Sequence, residues 1–235
     1  MHVPDGFIDA PVSLAAGAVA VGGLAVCLRG ARREMDERTA PLAGLVAAFV
    51  FAVQMLNFPV AVGTSGHLIG GALAAILVGP WTGAVCVSVV LMVQAVLFAD
   101  GGLTALGVNI VLLAGVSVAA GYGVFRLLVL VLPKRSSSVV AATAVAAGCS
   151  VPLAALGFVA VYAAGGTTAV PLVTVTAAMV GVHLLIGVGE GVITALTVAS
   201  VLAVRPDLVR GARHLVRAEE LTVRPVATVL GSGTR

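Results

Sequence analysis

Charge is what this sequence has least of. Asp, Glu, Lys and Arg make up only 10% of its 235 residues, and aromatics 4%, against 60% hydrophobic residues. Soluble domains carry roughly 25% charged residues, so these are too few to cover a water-facing surface. A mean hydropathy of +1.16 fits a bilayer instead, where apolar runs of about 20 residues span the hydrocarbon. Cysteine is nearly absent too. Cys27, Cys86 and Cys149 are odd in number, far apart and each inside an apolar run, which excludes a disulfide framework or a CxxC zinc pattern and leaves packing as their role. The single lysine, Lys134, lies in Pro-Lys-Arg-Ser and fits no GxxxxGK[ST] loop, so the chain does not hydrolyse ATP itself. A basic n-region is also missing: Asp5 and Asp9 stand in its place, so no secretory signal is expected and the chain should begin at Met1.

What is present is a series of seven apolar runs: Pro11–Leu28, Pro41–Val62, Leu68–Gly79, Thr82–Ala99, Ala105–Leu132, Val139–Ala164 and Leu172–Val204. Short turns rich in Gly, Pro, Thr and Ser join them, leaving no room for a soluble domain. Charge fixes the count. With the N-terminus outside and all seven runs crossing, every Lys and Arg falls on the inner side, Arg126 by snorkelling. Merging runs three and four would put Lys134 and Arg135 outside, and splitting the last run would export the Arg-rich tail. The net charge of +3 is thus an orientation signal and implies no nucleic acid. The expectation is an all-α membrane protein, a compact bundle of about seven transmembrane helices in the cell membrane, with the N-terminus outside and the C-terminus inside. Small residues, including Gly187-xxx-Gly191, predict close helix packing. Residues 1–204 form the membrane domain. Residues 205–235 form a cytoplasmic tail in which Leu208, Ala212, Leu215 and Val216 share one helical face and Arg210, Arg213 and Arg217 the other, ending in a disordered Gly231–Arg235.

Two outer segments are polar. In Met1-His2-Val3-Pro4-Asp5-Gly6-Phe7, the residues Val3–Gly6 carry a turn signature, with Pro second and Gly fourth. A bulky His2 should leave Met1 untrimmed. The terminal amine, the His2 backbone nitrogen and its imidazole can then chelate one metal through two fused rings. Three nitrogens in a plane and a fourth donor make the square-planar geometry of Ni(II) and Cu(II), and Co(II) can use the same set. The second segment, Gly63–Gly70, places His67 at the outer mouth, on the side of the N-terminus, where it can supply the fourth nitrogen. Gln54, Asn57 and Ser65 stand where they could orient these ligands from behind; alternatively, they satisfy an interrupted helix end. His183 and Glu190 lie seven apart on one helix face. Because an intramembrane acid is costly, the pair is a functional candidate, against plain hydrogen bonding to a glycine-broken neighbour or a Glu190 that simply sits protonated. Asp100, before Gly101-Gly102, reads as a turn or cap.

The strings MHVPDGF, QMLNFP, GTSGHLIGGALAAILVGPW, VLMVQAVLFADGGLTALGVN and VHLLIGVGEG resemble the CbiM/NikM family over residues 1–204. These are the substrate-binding components of energy-coupling-factor transporters for cobalt and nickel. The resemblance implies that the Met1 amine, the amide and imidazole of His2, and His67 hold Ni(II) or Co(II) as cargo, with no organic cofactor. It also implies separate partners: a transmembrane coupling subunit, a pair of cytoplasmic ATPases and a small accessory membrane protein. One departure is the apolar Ile110–Leu113 after Asn109, where a more polar stretch with Met is expected. Two rival readings remain. Gly63-Thr64-Ser65-Gly66 matches the GxSG of rhomboid proteases, with Ser65 as nucleophile and His183 as base. A self-sufficient carrier would instead use His183 and Glu190 as a proton relay, although no internal repeat accompanies them.

Overall fold

The computed structural model of the chain describes residues 1–37, 39–61, 64–213 and 215, and only the backbone at 58–61 and 64–65. Seven helices follow the seven apolar runs in order: α1 Ala10–Glu34, α2 Thr39–Gln54, α3 Gly71–Val78, α4 Pro80–Leu97, α5 Leu106–Val131, α6 Ser136–Gly165 and α7 Leu172–Val204. Five of them are long and apolar enough to cross a membrane, α2 is shorter at 16 residues, and α3 has only 8. The chain is a multi-pass membrane protein, as its composition requires.

Two boundaries differ from the sequence expectation, each for a local reason. The run Pro41–Val62 is not one span: α2 stops at Gln54, and Phe58–Ala61 pairs antiparallel with Thr64–Gly66 in a small hairpin, β1–β2. Pro59 disfavours helix at the residue before it, and hydropathy alone does not register that break. The tail differs as well. Residues 206–208 and 210–212 form two 3-10 turns rather than one amphipathic helix, and they bury Val209 and Ala212 against the bundle's own end. Val216, Arg217 and Gly231–Arg235 lie outside the described residues, as do Arg38, Val62 and Gly63.

At the centre is α3, whose eight residues are all buried. Glycines let its neighbours come close. A Cβ on Gly121 of α5 would meet Ala72 at 2.6 Å, and one on Gly83 of α4 would meet the Ala75 backbone at 2.8 Å. The Gly187-xxx-Gly191 pair works the same way, each glycine facing a carbonyl of α6, at Gly148 and Ala144. At about 1.5 Å per residue, α3 spans only about 12 Å, so the segment before it must reach deep into the bundle.

The basic residues gather at one end. There Glu34 accepts from the Thr82 amide at 2.8 Å and pairs with Arg210 at 3.9 Å, and Arg29, Arg33 and Trp81 line the same shallow cavity of about 310 Å³. The three cysteines are free thiols, as packing residues would be.

Candidate metal site

At the opposite end of the bundle the extreme N-terminus folds inward. Met1 and Val3 are completely buried and His2 is 4% exposed. This follows from a chain of specific contacts rather than from one turn. Asn109 at the start of α5 grips Val3 on both sides, accepting from its amide at 2.8 Å and donating to its carbonyl at 3.1 Å. The Gly102 amide donates to that same carbonyl at 2.8 Å. Asp5 accepts from the amide and hydroxyl of Thr104 at 2.7 and 2.6 Å, which holds its carboxyl below the usual range. Phe7 packs against Phe158 and Tyr162, and Asp9 caps α1 through the Val12 amide.

The predicted turn is real but lies one residue later. The Phe7 amide donates to the Pro4 carbonyl at 3.4 Å, with Gly6 in third position at φ +74°. That left-handed conformation is what glycine supplies at this place in a turn.

His67 lies at the same end as the N-terminus but not at a mouth: it is fully buried, and its ring stacks on that of His2 with centroids 4.3 Å apart. Each histidine here has one nitrogen engaged. His67 Nδ1 donates to the Leu68 carbonyl at 2.8 Å, His183 Nδ1 to the Met179 carbonyl at 2.7 Å, and His2 Nδ1 to Asp100 Oδ1 at 3.0 Å. A carbonyl only accepts, so Nδ1 carries the proton and Nε2 keeps its lone pair. All three Nε2 atoms are buried and receive no hydrogen bond from the protein, as do Gln54 Oε1 and Gln94 Oε1. The Met1 amine is close enough to interact electrostatically with all three histidines, and His183 with His67. These buried lone pairs meet no donor from the protein, an environment that favours a cation.

Burial lowers the affinity of these nitrogens for protons. It pulls the Met1 amine well below its ordinary value, against the opposing pull of Asp100. It likewise lowers His2 despite the Asp100 hydrogen bond, and it lowers His67 strongly, with help from the nearby Met1 ammonium. Near neutral pH the site therefore presents unprotonated nitrogens, the form that ligates metal.

The other sequence candidates separate. Gln54 is buried and donates to the Ile69 carbonyl at 2.7 Å, which fixes the loop after His67. Asn57 donates to Asp100 Oδ2 at 3.1 Å and so stands behind His2. Ser65 lies on β2, and its side chain is outside the described residues. Glu190 accepts from the amides of Ile69 and Gly70 at 2.6 and 2.9 Å, whereas His183 bonds the Met179 carbonyl of its own helix, so the two have different partners.

Asp100 and Asn109 were missed as site residues. Asp100 is more than a turn residue, because its two oxygens link His2 to Asn57. The apolar stretch after Asn109 turns out to be a π-helical segment, Ile110–Val116. Such segments recur at functional sites, and here one begins directly after the residue that holds Val3. An Asn closing a polar string before an apolar run was the available signal.

Among the described residues no group of three or more His, Cys, Asp or Glu side chains is gathered to hold a metal.

By fold and site this is a membrane protein that presents buried nitrogen donors at one end of a helical bundle. Residues 2–208 match the family described as cobalt uptake substrate-specific transmembrane region, CbiM, and the chain belongs to that family. A protein of Haloquadratum walsbyi, provisionally named a metal transport protein, is 40% identical over 211 residues, 89% of this chain and 93% of the relative. A protein of Archaeoglobus fulgidus, provisionally named a fused nickel transport protein NikMN, is 40% identical over 89% of this chain and 68% of its own length. A crystal structure of a transition metal transporter superposes with a TM-score of 0.80 at 30% identity, covering 95% of this chain and 100% of that one. The chain is thus a component of metal transport and not itself an enzyme. The protease pairing of Ser65 with His183 gains no support.

Proposed function

We propose that the chain is the substrate-capturing subunit of an ATP-driven importer of the energy-coupling-factor type, taking up Ni(II) or Co(II) from the outer face. The ligands are the Met1 amine, the His2 amide nitrogen, the His2 imidazole and His67. The observation that carries this reading is the burial of the chain's own amine with His2, beside a His67 whose Nε2 lone pair meets no protein donor. A set of four nitrogens in a plane favours Ni(II) over Co(II). The gathering of basic residues at the far end supports an outward-facing site, since such residues stay on the inner side. ATP hydrolysis belongs to partners: a coupling membrane subunit, a pair of ATPases and a small accessory membrane protein. The Archaeoglobus relative, which carries sequence beyond the 68% matched here, is a precedent for joining this unit to another component.

In the fused-ring chelate, the His2 nitrogen nearest the backbone, Nδ1, must face the metal. It now faces Asp100. A half-turn of the ring about Cβ–Cγ frees Nδ1 and turns Nε2–H toward the Asp100 side, so the carboxylate serves both states. Such a ring flip makes Asp100 the residue that fixes the tautomer on loading.

The decisive experiment is insertion of one Ala between Met1 and His2. Every side chain is retained but the chelate ring sizes change. Ni(II) and Co(II) affinity by isothermal titration should fall at least about tenfold, and acetylation of the amine should act alike. Affinity equal to that of the unmodified chain in either case would show the ligand set to be wrong.

A further inference from the structure

We propose that Glu190 is the positioning residue of the His67 ligand. Its carboxylate is the anchor that sets where His67 presents Nε2, and its charge is tuned to a cation held there. The inference rests on the ligand set proposed above and concerns what makes that set rigid.

The chain from His67 to α3 runs through Leu68, Ile69 and Gly70. Gly70 has φ +75°, a left-handed backbone with the Val50 side chain close against it, so the connection is tight and its course leaves little slack. Glu190 meets it at two successive amides, with Oε2 to Ile69 at 2.6 Å and Oε1 to Gly70 at 2.9 Å. A carboxylate taking two neighbouring N–H groups fixes both the position and the tilt of the peptide between them. From the other side, Gln54 donates to the Ile69 carbonyl at 2.7 Å. Ile69 is therefore held at its amide and at its carbonyl, two residues from His67. His67 Nδ1 in turn donates to the Leu68 carbonyl, so the ring orientation is referred to the same clamped strand.

Why an acid, rather than a neutral Gln, should stand here is the informative point. Glu190 is 2% exposed, and among the described residues no basic side chain lies within salt-bridge distance of it. Both oxygens are used as acceptors, which is the role of the ionised form. A buried anion is costly unless matched. Two amides at the start of α3 match it in part, since helix N-termini favour negative charge. The remaining match is the cargo. A divalent ion bound through one deprotonated amide carries a single positive excess, and Glu190 lies just behind the ligand that holds it.

Glu190→Gln tests this in the full-length protein in detergent. Gln can accept one of the two N–H groups but turns its own N–H₂ toward the other. The variant should fold, as judged by helical circular dichroism and gel filtration, yet bind NiCl₂ at least tenfold more weakly. Its Ni(II) visible absorption band should also shift as the His67 nitrogen moves. Glu190→Asp, which keeps the charge but falls short of both amides, should bind NiCl₂ more weakly than wild type and more tightly than a folded Gln variant; if the Gln variant does not fold, wild-type affinity and an unchanged Ni(II) band in the Asp variant overturn the role of Glu190. A folded Glu190→Gln protein with wild-type affinity and an unchanged Ni(II) band overturns the role of Glu190. If wild-type protein and His67→Ala bind Ni(II) alike, the ligand set itself has failed, and the two failures are thus told apart.

Discussion

The two ends of α3 invite comparison, because a buried glutamate meets the backbone at each. At the far end Glu34 accepts from the Thr82 amide, and Arg210 stands beside it at 3.9 Å. At the near end Glu190 accepts from Ile69 and Gly70 with no basic side chain in range among the described residues. One end is closed electrostatically by the protein's own cation. The other has no basic side chain in range among the described residues, a few residues from histidine nitrogens that accept nothing. The first is a joint that holds helices together. The second, on the proposal above, is organised for a charge that comes and goes.

Predictions should therefore be large at the near end and negligible at the far one. Asn109→Ala removes two of the three hydrogen bonds that seat Val3, sparing the one from Gly102, and leaves its buried amide without a partner, a loss of about 1–3 kcal/mol. The freed terminus should weaken Ni(II) binding by about tenfold or more in titration calorimetry. Unchanged affinity would mean that the N-terminal segment finds its place without Asn109.

The pH dependence comes next in size. Burial lowers the proton affinities of the Met1 amine, His2 and His67, so near neutrality these nitrogens are already proton-free. Only the His2 amide proton must be released there, which makes affinity fall about tenfold per pH unit between pH 8 and 6. The fall should steepen at lower pH, once the amine and imidazoles take up protons. Competition titrations at fixed pH steps measure the slope, and a flat profile would exclude the amide as a ligand.

Asp100→Asn keeps an acceptor for the His2 ring but loses the charge that favours its N–H. A several-fold loss is expected, below the tenfold typical of losing a well-placed site group. Smallest of all, Arg33→Ala at the exposed far end should leave Ni(II) affinity unchanged. A matching loss there would abolish the contrast between the two ends.

Much of the candidate site was legible because its nitrogen-bearing residues advertise themselves. A histidine beside the chain terminus and another in a Gly-rich break are local patterns with their own coordination chemistry. Asp100 and Asn109 were not legible, since an Asp before two glycines and an Asn before an apolar run have ordinary local explanations. Their partners, His2 and Val3, lie about a hundred residues away. Glu190 stood out as an intramembrane acid, but not what it held: the amides of Ile69 and Gly70 lie some 120 positions earlier.

The sequence by itself determined a multi-pass membrane protein with seven apolar runs, each giving a helix, with bases collected at one end and two histidine-bearing segments at the other. Those facts follow from run lengths and charge, which are sums over local composition. The tertiary structure alone decided that α2 ends early in a hairpin and that the short third run is a fully buried helix. It also decided that His67 reaches inside the bundle rather than resting at its mouth. Each of these depends on close packing of helices across glycine faces, and on which distant amide a buried carboxylate finds. Non-local geometry of that kind has no counterpart in periodicity or hydropathy.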